Sequence, residues 1–340
     1  MSRFLTIFYR LAYLAVQVIA ITFITFVMVR MIPGDPARLS LGPLVSDEAV
    51  EAVRDEMRLN EPIISQYLYW AQNALKGDLG QSWVNNSSVT DEMIARIPVT
   101  LELIMLAMTV VVLVLVPLAI LSAQEGKGLL QRIFRRIAFG YGMLAGALPD
   151  FVLGLLLILL FYTHLDWLPG PEGRLSFLDT EPPVVTGFIL IDTLLAGDFK
   201  AFRSAITHLV MPVFVLAFVY GAPVFKMMRS QMETSLSAEY TTYGRVVGLK
   251  PLKVSLRAAR AAAAPTIVIA GVIVTFLLGG AVLVESVFNF AGLGQFAVQS
   301  IVSADYASIQ AFVSFAAVMT VLVYALVDFL HWALDPRVRN

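Results

Sequence analysis

Six apolar runs punctuate the chain, at roughly 11–29, 101–123, 137–162, 206–225, 265–284 and 309–333. A helix rising 1.5 Å per residue needs about 20 such residues to cross the hydrocarbon of a bilayer. Each run therefore predicts a spanning helix. The first is fenced by Arg10 and Arg30 with no small-residue cleavage site behind it, which predicts a retained helix rather than a signal peptide.

The stretches between the runs carry their own patterns. Asp47–Met57 (DEAVEAVRDEM) reads as an acidic surface helix, and Glu61–Leu75 places Ile64, Tyr67, Leu68 and Ala71 at helical spacing. The 30–98 segment is too long for a simple connection, and it reads as a helical cap. LPGPEG, Leu168–Gly173, signals turns at the start of the 163–205 segment. ESVFNFAGLG, Glu285–Gly294, combines two phenylalanines with two glycines. It predicts a bend buried against protein, because irregular backbone at membrane depth persists only where its polar groups are satisfied. No internal repeat or low-complexity tract is evident.

Composition agrees with the membrane reading. Hydrophobic residues make up 58% of 340, mean hydropathy is +0.79, and charged residues reach only 14%, against about 25% in soluble domains. Cysteine is absent, which excludes disulfides and thiolate metal sites. The net charge of −1 conceals a segregation of signs. The N-terminus, 124–136, 226–260 and the tail together hold fifteen basic and four acidic residues, whereas 30–98, 163–205 and 285–308 hold nine basic and eighteen acidic. Excess Lys and Arg remain cytoplasmic, so both termini are expected inside. The expected fold is an all-α membrane protein of six transmembrane helices. Its parts are a first helix over 1–30, an extracytoplasmic helical loop over 31–97, a five-helix transmembrane domain over 98–335 and a tail over 336–340.

One polar stretch stands out on the cytoplasmic side. In EYTTYGRVVGLKPL, Glu239–Leu252, Ser237 offers an N-cap and Glu239 falls in the first turn, where the helix dipole favours an anion. Tyr240, Tyr243 and Val247 share a face. Gly248 suits a left-handed C′ position, and Pro251 blocks continuation. The expected helix of about ten residues, roughly 15 Å, is too short to span. Lys253, Arg257 and Arg260 follow as a basic stripe that suits lipid headgroups. Such a helix either lies flat on lipid or docks into a partner's groove with its tyrosines as anchors. Composition alone leaves both open.

Ionisable residues inside the runs are few. Asp150, after Pro149 and near the middle of the third run, costs on the order of 2.5–3.5 kcal/mol to insert unless it faces a cavity or a partner. It lines a pathway or makes a structural pair. Glu285 is placed at the start of the outer segment, where it would shape an outer gate. Glu102 and Asp328 read as structural hydrogen-bonding groups, and His208 and His331 as isolated polar groups rather than metal ligands. The nearest approach to a phosphate-cradling G-x-x-x-x-G-K-[ST] loop is EGKGL, Glu125–Leu129, which lacks the first glycine and the hydroxyl. No ATPase site is expected in this chain.

The polar cytoplasmic stretch resembles the EAA loop of ABC-importer permeases of the dipeptide/oligopeptide/nickel family, which reads approximately D/E-Y-x-x-x-A-R-A-x-G-L. Glu239, Tyr240, Arg245, Gly248 and Leu249 match, while Gly244 and Val246 replace alanines. Downstream, Arg257 and Ala261 stand where the family has His and Asn, and Pro265 matches. RMIPGDPA (Arg30–Ala37), QYLYW and GDLGQS (Gln66–Ser82), RIPVTLEL (Arg96–Leu103), GGAVLVESVF (Gly279–Phe288), Gly292–Gly294 and LDPRVR (Leu334–Arg339) are similar to family signatures in the same order. Ala291 departs from a usual proline, and Asp150 from a usual small residue.

The resemblance implies the type I importer fold and a bacterial inner-membrane permease that is not itself catalytic. It implies a coupling helix in which Glu239, Tyr240, Tyr243, Gly244, Arg245, Gly248 and Leu249 meet an ATPase subunit. It further implies a homologous second permease, two cytoplasmic ATPase subunits that carry the ATP and Mg, and an extracytoplasmic substrate-binding protein. No cofactor is expected in this chain, and nucleic acid is not an expected partner. Two other classes compete. An ion-coupled secondary transporter would show paired broken helices and mid-membrane charges, of which only Asp150 fits. An intramembrane protease would show HExxH or paired catalytic residues, and none is present.

Overall fold

The computed structural model describes residues 3–31, 35–41, 45–82, 84–124 and 128–334. Helices run in the order α1 (Arg3–Arg30), α2 (Pro36–Leu41), α3 (Asp47–Glu56), α4 (Ile63–Ala74), α5 (Val89–Val110), α6 (Val116–Ala123), α7 (Leu129–Leu144), α8 (Asp150–Leu157), α9 (Ile189–Leu195), α10 (Phe199–Ser237), α11 (Glu239–Val246), α12 (Pro251–Val287), α13 (Leu293–Val302) and α14 (Tyr306–Leu334). A π-wound turn over Val111–Leu115 joins α5 to α6 without a break, and another over Ile158–His164 extends α8. Two residue pairs, β1 (Gln81–Ser82) and β2 (Ser87–Ser88), form a short antiparallel ladder.

Among the described residues, five helices are long and apolar enough to cross a membrane: Ala12–Arg30, Val89–Ala123, Phe199–Ser237, Pro251–Gly279 and Tyr306–Leu330. The third expected span is not one helix. Apolar composition continues across 137–162, but the backbone leaves the helix after Leu144 and re-enters at Asp150, with Pro149 as the extended N-cap. Proline biases the residue before it away from the α region. The helix from Asp150 to His164 reaches only about 20 Å. Elsewhere the helices overrun the apolar runs, because polar turns at their ends continue the same hydrogen-bonded ladder.

The chain divides into two compact units, Met1–Pro98 with Ala291–Leu322 and Val99–Phe290 with Val323–Asn340. In the first, Val89, Met93, Leu293, Phe296 and Ala311 form a buried cluster. Thr22 and the Tyr67 hydroxyl share a hydrogen bond of 2.9 Å, tying α1 to α4, and Gln310 Nε2 donates to the Thr22 carbonyl at 3.2 Å. Ser46 caps α3 by accepting from Ala49 N, as the acidic surface helix requires. Ile64 and Leu68 of α4 are exposed while Tyr67 is buried.

In the second unit α10 packs along α12 and against α6, α8 and α9. Close approach is bought with glycine. A Cβ on Gly221 would lie 2.4 Å from Leu115 Cδ1 and 2.9 Å from Val111 Cγ2, the two ends of the π turn. Glu102 accepts from Ile189 N at 3.1 Å and Leu190 N at 3.0 Å, so a carboxylate from α5 caps α9. Arg174 donates to the Gly187 carbonyl at 2.9 Å and lies 4.0 Å from Glu102. Burial pushes the Asp192 carboxyl up, but hydrogen bonds from Thr186 and Gly187 outweigh it and hold it below the ordinary carboxylate range. The turn-rich segment after Leu168 is thus irregular but internally bonded.

Gly221→Val is expected to force α10 off the π turn and to destabilise the chain by about 1–3 kcal/mol. Gly140→Val, which meets nothing within 4 Å, serves as the control. Thermal unfolding in detergent should show a lowered midpoint for Gly221→Val alone.

Candidate functional site

The polar stretch forms a helix of 8 residues, Glu239–Val246, shorter than the ten expected. Ser237 is not its cap. Helix α10 runs through Ser237, whose hydroxyl donates back to the Thr234 carbonyl at 3.0 Å, and the extended residue between the helices is Ala238, whose methyl group cannot cap. The first turn is instead tied by Thr241, whose hydroxyl donates to the Ser235 carbonyl at 2.7 Å. That threonine contact was not legible from the capping pattern.

The C-terminus follows expectation. Gly248 has φ +81°, a conformation that glycine adopts without penalty. Leu249 N donates to the Gly244 carbonyl at 3.0 Å and Gly248 N to the Arg245 carbonyl at 3.1 Å, the paired bonds of a Schellman stop. The accompanying apolar contact is Leu249 on Gly244, where a Cβ would meet Leu249 Cδ1 at 3.1 Å. Gly244 therefore admits the leucine closely, which explains a glycine in place of alanine.

Thr241 and Gly244 face inward, and α11 packs on α10 and α12. The outward face carries Tyr240 (50% exposed), Tyr243 (69%) and Val247 (54%). Arg245 and Leu249 also edge a cavity of about 400 Å³ with Leu236, Pro251 and Val254. Lys253, Arg257 and Arg260 are exposed in the first turns of α12. They belong to the same helix as the apolar run that follows, not to a separate lead-in.

The two expected pathway carboxylates occupy different settings from those predicted. Asp150 is the first residue of α8, just past a break in the helix inside the third apolar run. It is buried, accepts from Phe151 N at 2.7 Å, and receives a hydrogen bond from the Tyr220 hydroxyl at 2.9 Å. Tyr220 was missed, although a phenol between apolar residues one position before Gly221 is its own signal. Glu285 does not begin an outer segment. It lies in the last turns of α12, fully buried, and accepts from the Thr100 hydroxyl at 2.5 Å. The bend after it buries Phe288 and Phe290, with Asn289 at φ +56°.

His208 Nδ1 donates to the Ser204 carbonyl at 2.8 Å, and Nε2 stands 4.0 Å from Glu172. The side chain of His331 lies outside the described residues. Among the described residues no group of three His, Cys, Asp or Glu is arranged to hold a metal ion.

The family model for the binding-protein-dependent transport system inner membrane component matches residues 115–340, and the model for the N-terminal part of such membrane components matches residues 1–104. The chain is 37% identical over 326 residues to a probable D,D-dipeptide transport system permease protein, DdpB, of Escherichia coli, covering 96% of this chain and 94% of that one. It is 35% identical to the dipeptide transport system permease protein DppB of the same organism, covering 95% of each. It is 32% identical to the oligopeptide transport system permease protein AppB of Bacillus subtilis, covering 94% of each. The likeness runs through both compact units and includes the capped, tyrosine-faced helix: this chain belongs to the family of binding-protein-dependent transport system inner membrane components and is a permease subunit of an ABC importer in the bacterial inner membrane.

Proposed function

We propose that this permease carries short peptides, and that it does so as half of a pathway completed by a homologous second permease. The peptide cargo is supported by relatives named for dipeptide and oligopeptide transport. A substrate-binding protein delivers cargo from outside, and two ATPase subunits supply ATP, Mg and hydrolysis from the cytosol. Six crossings are assigned to α1, α5–α6, the broken pair α7–α8, α10, α12 and α14. Both termini are placed inside by the segregation of basic residues. This arrangement puts 31–97 outside and α11 in the cytosol.

The observation that carries the mechanism is α11 itself. An 8-residue helix with two exposed tyrosines, stopped by a left-handed glycine, presents a compact knob to a groove. ATP favours the closed ATPase pair. Two docked knobs that approach each other on closure shift the permeases toward the state with which that pair is compatible. An ion-coupled mechanism gains no support from the buried carboxylates. Asp150 is bonded to Tyr220 and Glu285 to Thr100, and no inverted half-repeat relates them. Asp150 is proposed to border the pathway, while Glu285 holds the end of α12 beneath the outer gate.

Gly248→Val is expected to strain the left-handed residue by about 1–2 kcal/mol and to uncouple ATP hydrolysis from uptake in proteoliposomes, while Gly248→Asn retains most uptake. Normal coupling in the valine variant would discard the stop as a mechanical element. Tyr240→Ala with Tyr243→Ala should weaken ATPase-subunit association by at least tenfold, on the order of 2 kcal/mol at an anchor pair. Association measured by co-purification and by titration in nanodiscs checks this, and unaltered affinity would move the docking surface elsewhere.

Asp150→Asn should keep the Tyr220 hydrogen bond yet alter preference among peptides of different charge, and Asp150→Ala should reduce uptake several-fold. Competition uptake assays provide the readout. Unchanged rate and unchanged preference in both variants would remove Asp150 from the pathway.

A further inference from the structure

Within the first compact unit, α1, α4 and the start of α14 enclose a cavity of about 240 Å³. Phe26, Tyr69 and Trp70 contribute rings to its wall. Two charged groups on that wall have no opposite charge paired with them among the described residues, and two further polar atoms make no hydrogen bond. Arg30 donates from Nε to Gln66 Oε1 at 2.7 Å, and its guanidinium stacks over the Phe26 ring at 3.5 Å. Among the described residues no carboxylate pairs with it. Asp305 is 5% exposed; its Oδ2 receives hydroxyls from Ser82 and Ser308 at 2.6 Å each, and its Oδ1 the Ser308 N–H at 3.4 Å. It has no cation partner among the described residues. Trp70 Nε1, a donor, and Gln310 Oε1, an acceptor on a residue 2% exposed, are buried without any hydrogen-bond partner.

Buried polar groups are almost always bonded, and buried charges almost always paired. Here a cation and an anion border one cavity without pairing, and the same wall carries an unused donor and an unused acceptor. Guanidinium and indole N–H together suit a carboxylate. Carboxylate and amide oxygen together suit an ammonium. The remaining charged residues of the lining, Glu56, Arg58 and Asp78, are exposed. The volume exceeds several waters and falls below that of a drug-sized pocket.

We propose that this cavity binds a small zwitterion, an amino acid or dipeptide with both termini free. The carboxylate meets Arg30 and Trp70, and the ammonium meets Asp305 and Gln310. The two-charge recognition stands on the geometry of the cavity. The choice of a peptide as the zwitterion rests on the cargo reading above. The permease then carries a peptide site of its own, distinct from that of the binding protein.

The test is equilibrium dialysis of the purified permease complex in nanodiscs, without binding protein, against labelled alanyl-alanine. Saturable binding is expected, weakened at least tenfold when the amine is acetylated and likewise when the carboxyl is amidated. Arg30→Gln should abolish the penalty for amidation, and Asp305→Asn the penalty for acetylation. Asp305 also ties Ser82 and Ser308, so its variant is read only where thermal unfolding is unchanged. The blocked peptides test the same claim on the unaltered chain. Absence of saturable binding, equal binding of blocked peptides, or binding indifferent to Arg30→Gln overturns the proposal. Binding-protein-dependent uptake is measured in parallel. Peptide uptake without this binding defeats the cavity site alone, whereas zwitterion binding without peptide uptake defeats the cargo reading alone.

Discussion

Hydrocarbon offers no water to a freed peptide group, so every departure from helix must be answered by a protein group. That constraint organises this chain. Where α7 ends and α8 begins, Asp150 accepts from Phe151 N and anchors to Tyr220 of α10. The same completion recurs in segments that the charge pattern assigns to water: Glu102 supplies both acceptors for the first amides of α9, and the Schellman bonds of Gly248 and Leu249 close the last turn of α11. The polar residues in apolar surroundings are few, and most of those with a resolved partner sit beside a helix end or a bend.

The same constraint separates what was legible from what was not. Apolar runs revealed the helices of five crossings because spanning demands length and composition together. They hid the break at Ala145–Pro149, because a bend can be as apolar as a helix, and only Pro149 marked it. The stop at Gly248 was legible because a left-handed residue has a strong preference for glycine. The start of α11 was not. Ser237 has the right chemistry for a cap but still belongs to α10, and the actual tie comes from Thr241, a residue ordinarily neutral in such patterns. Asp150 was found as an anomaly, whereas its partner Tyr220 was invisible until α8 and α10 were placed side by side. Glu285 was assigned one turn too far along, since the sequence does not mark where α12 frays.

A docking knob works only if displacement of the knob moves the helices behind it. Here α11 is joined to α10 through the single residue Ala238, and to α12 through the four residues from Val247 to Lys250. The inner face of α11 leaves little slack. Gly244 is covered by Leu249, and Thr241 is bonded to the last turn of α10. A flexible tether would absorb a push from an ATPase subunit as loop entropy. On the proposed coupling, a short, doubly anchored helix would pass it on to α10 and α12, which pack along each other. Packed helices slide or pivot in small discrete steps, and the close fit of Gly221 on the π turn makes the pivot specific. In that proposal, differential affinity of ATP for one arrangement would suffice to bias the equilibrium, with no charge moving within the permease.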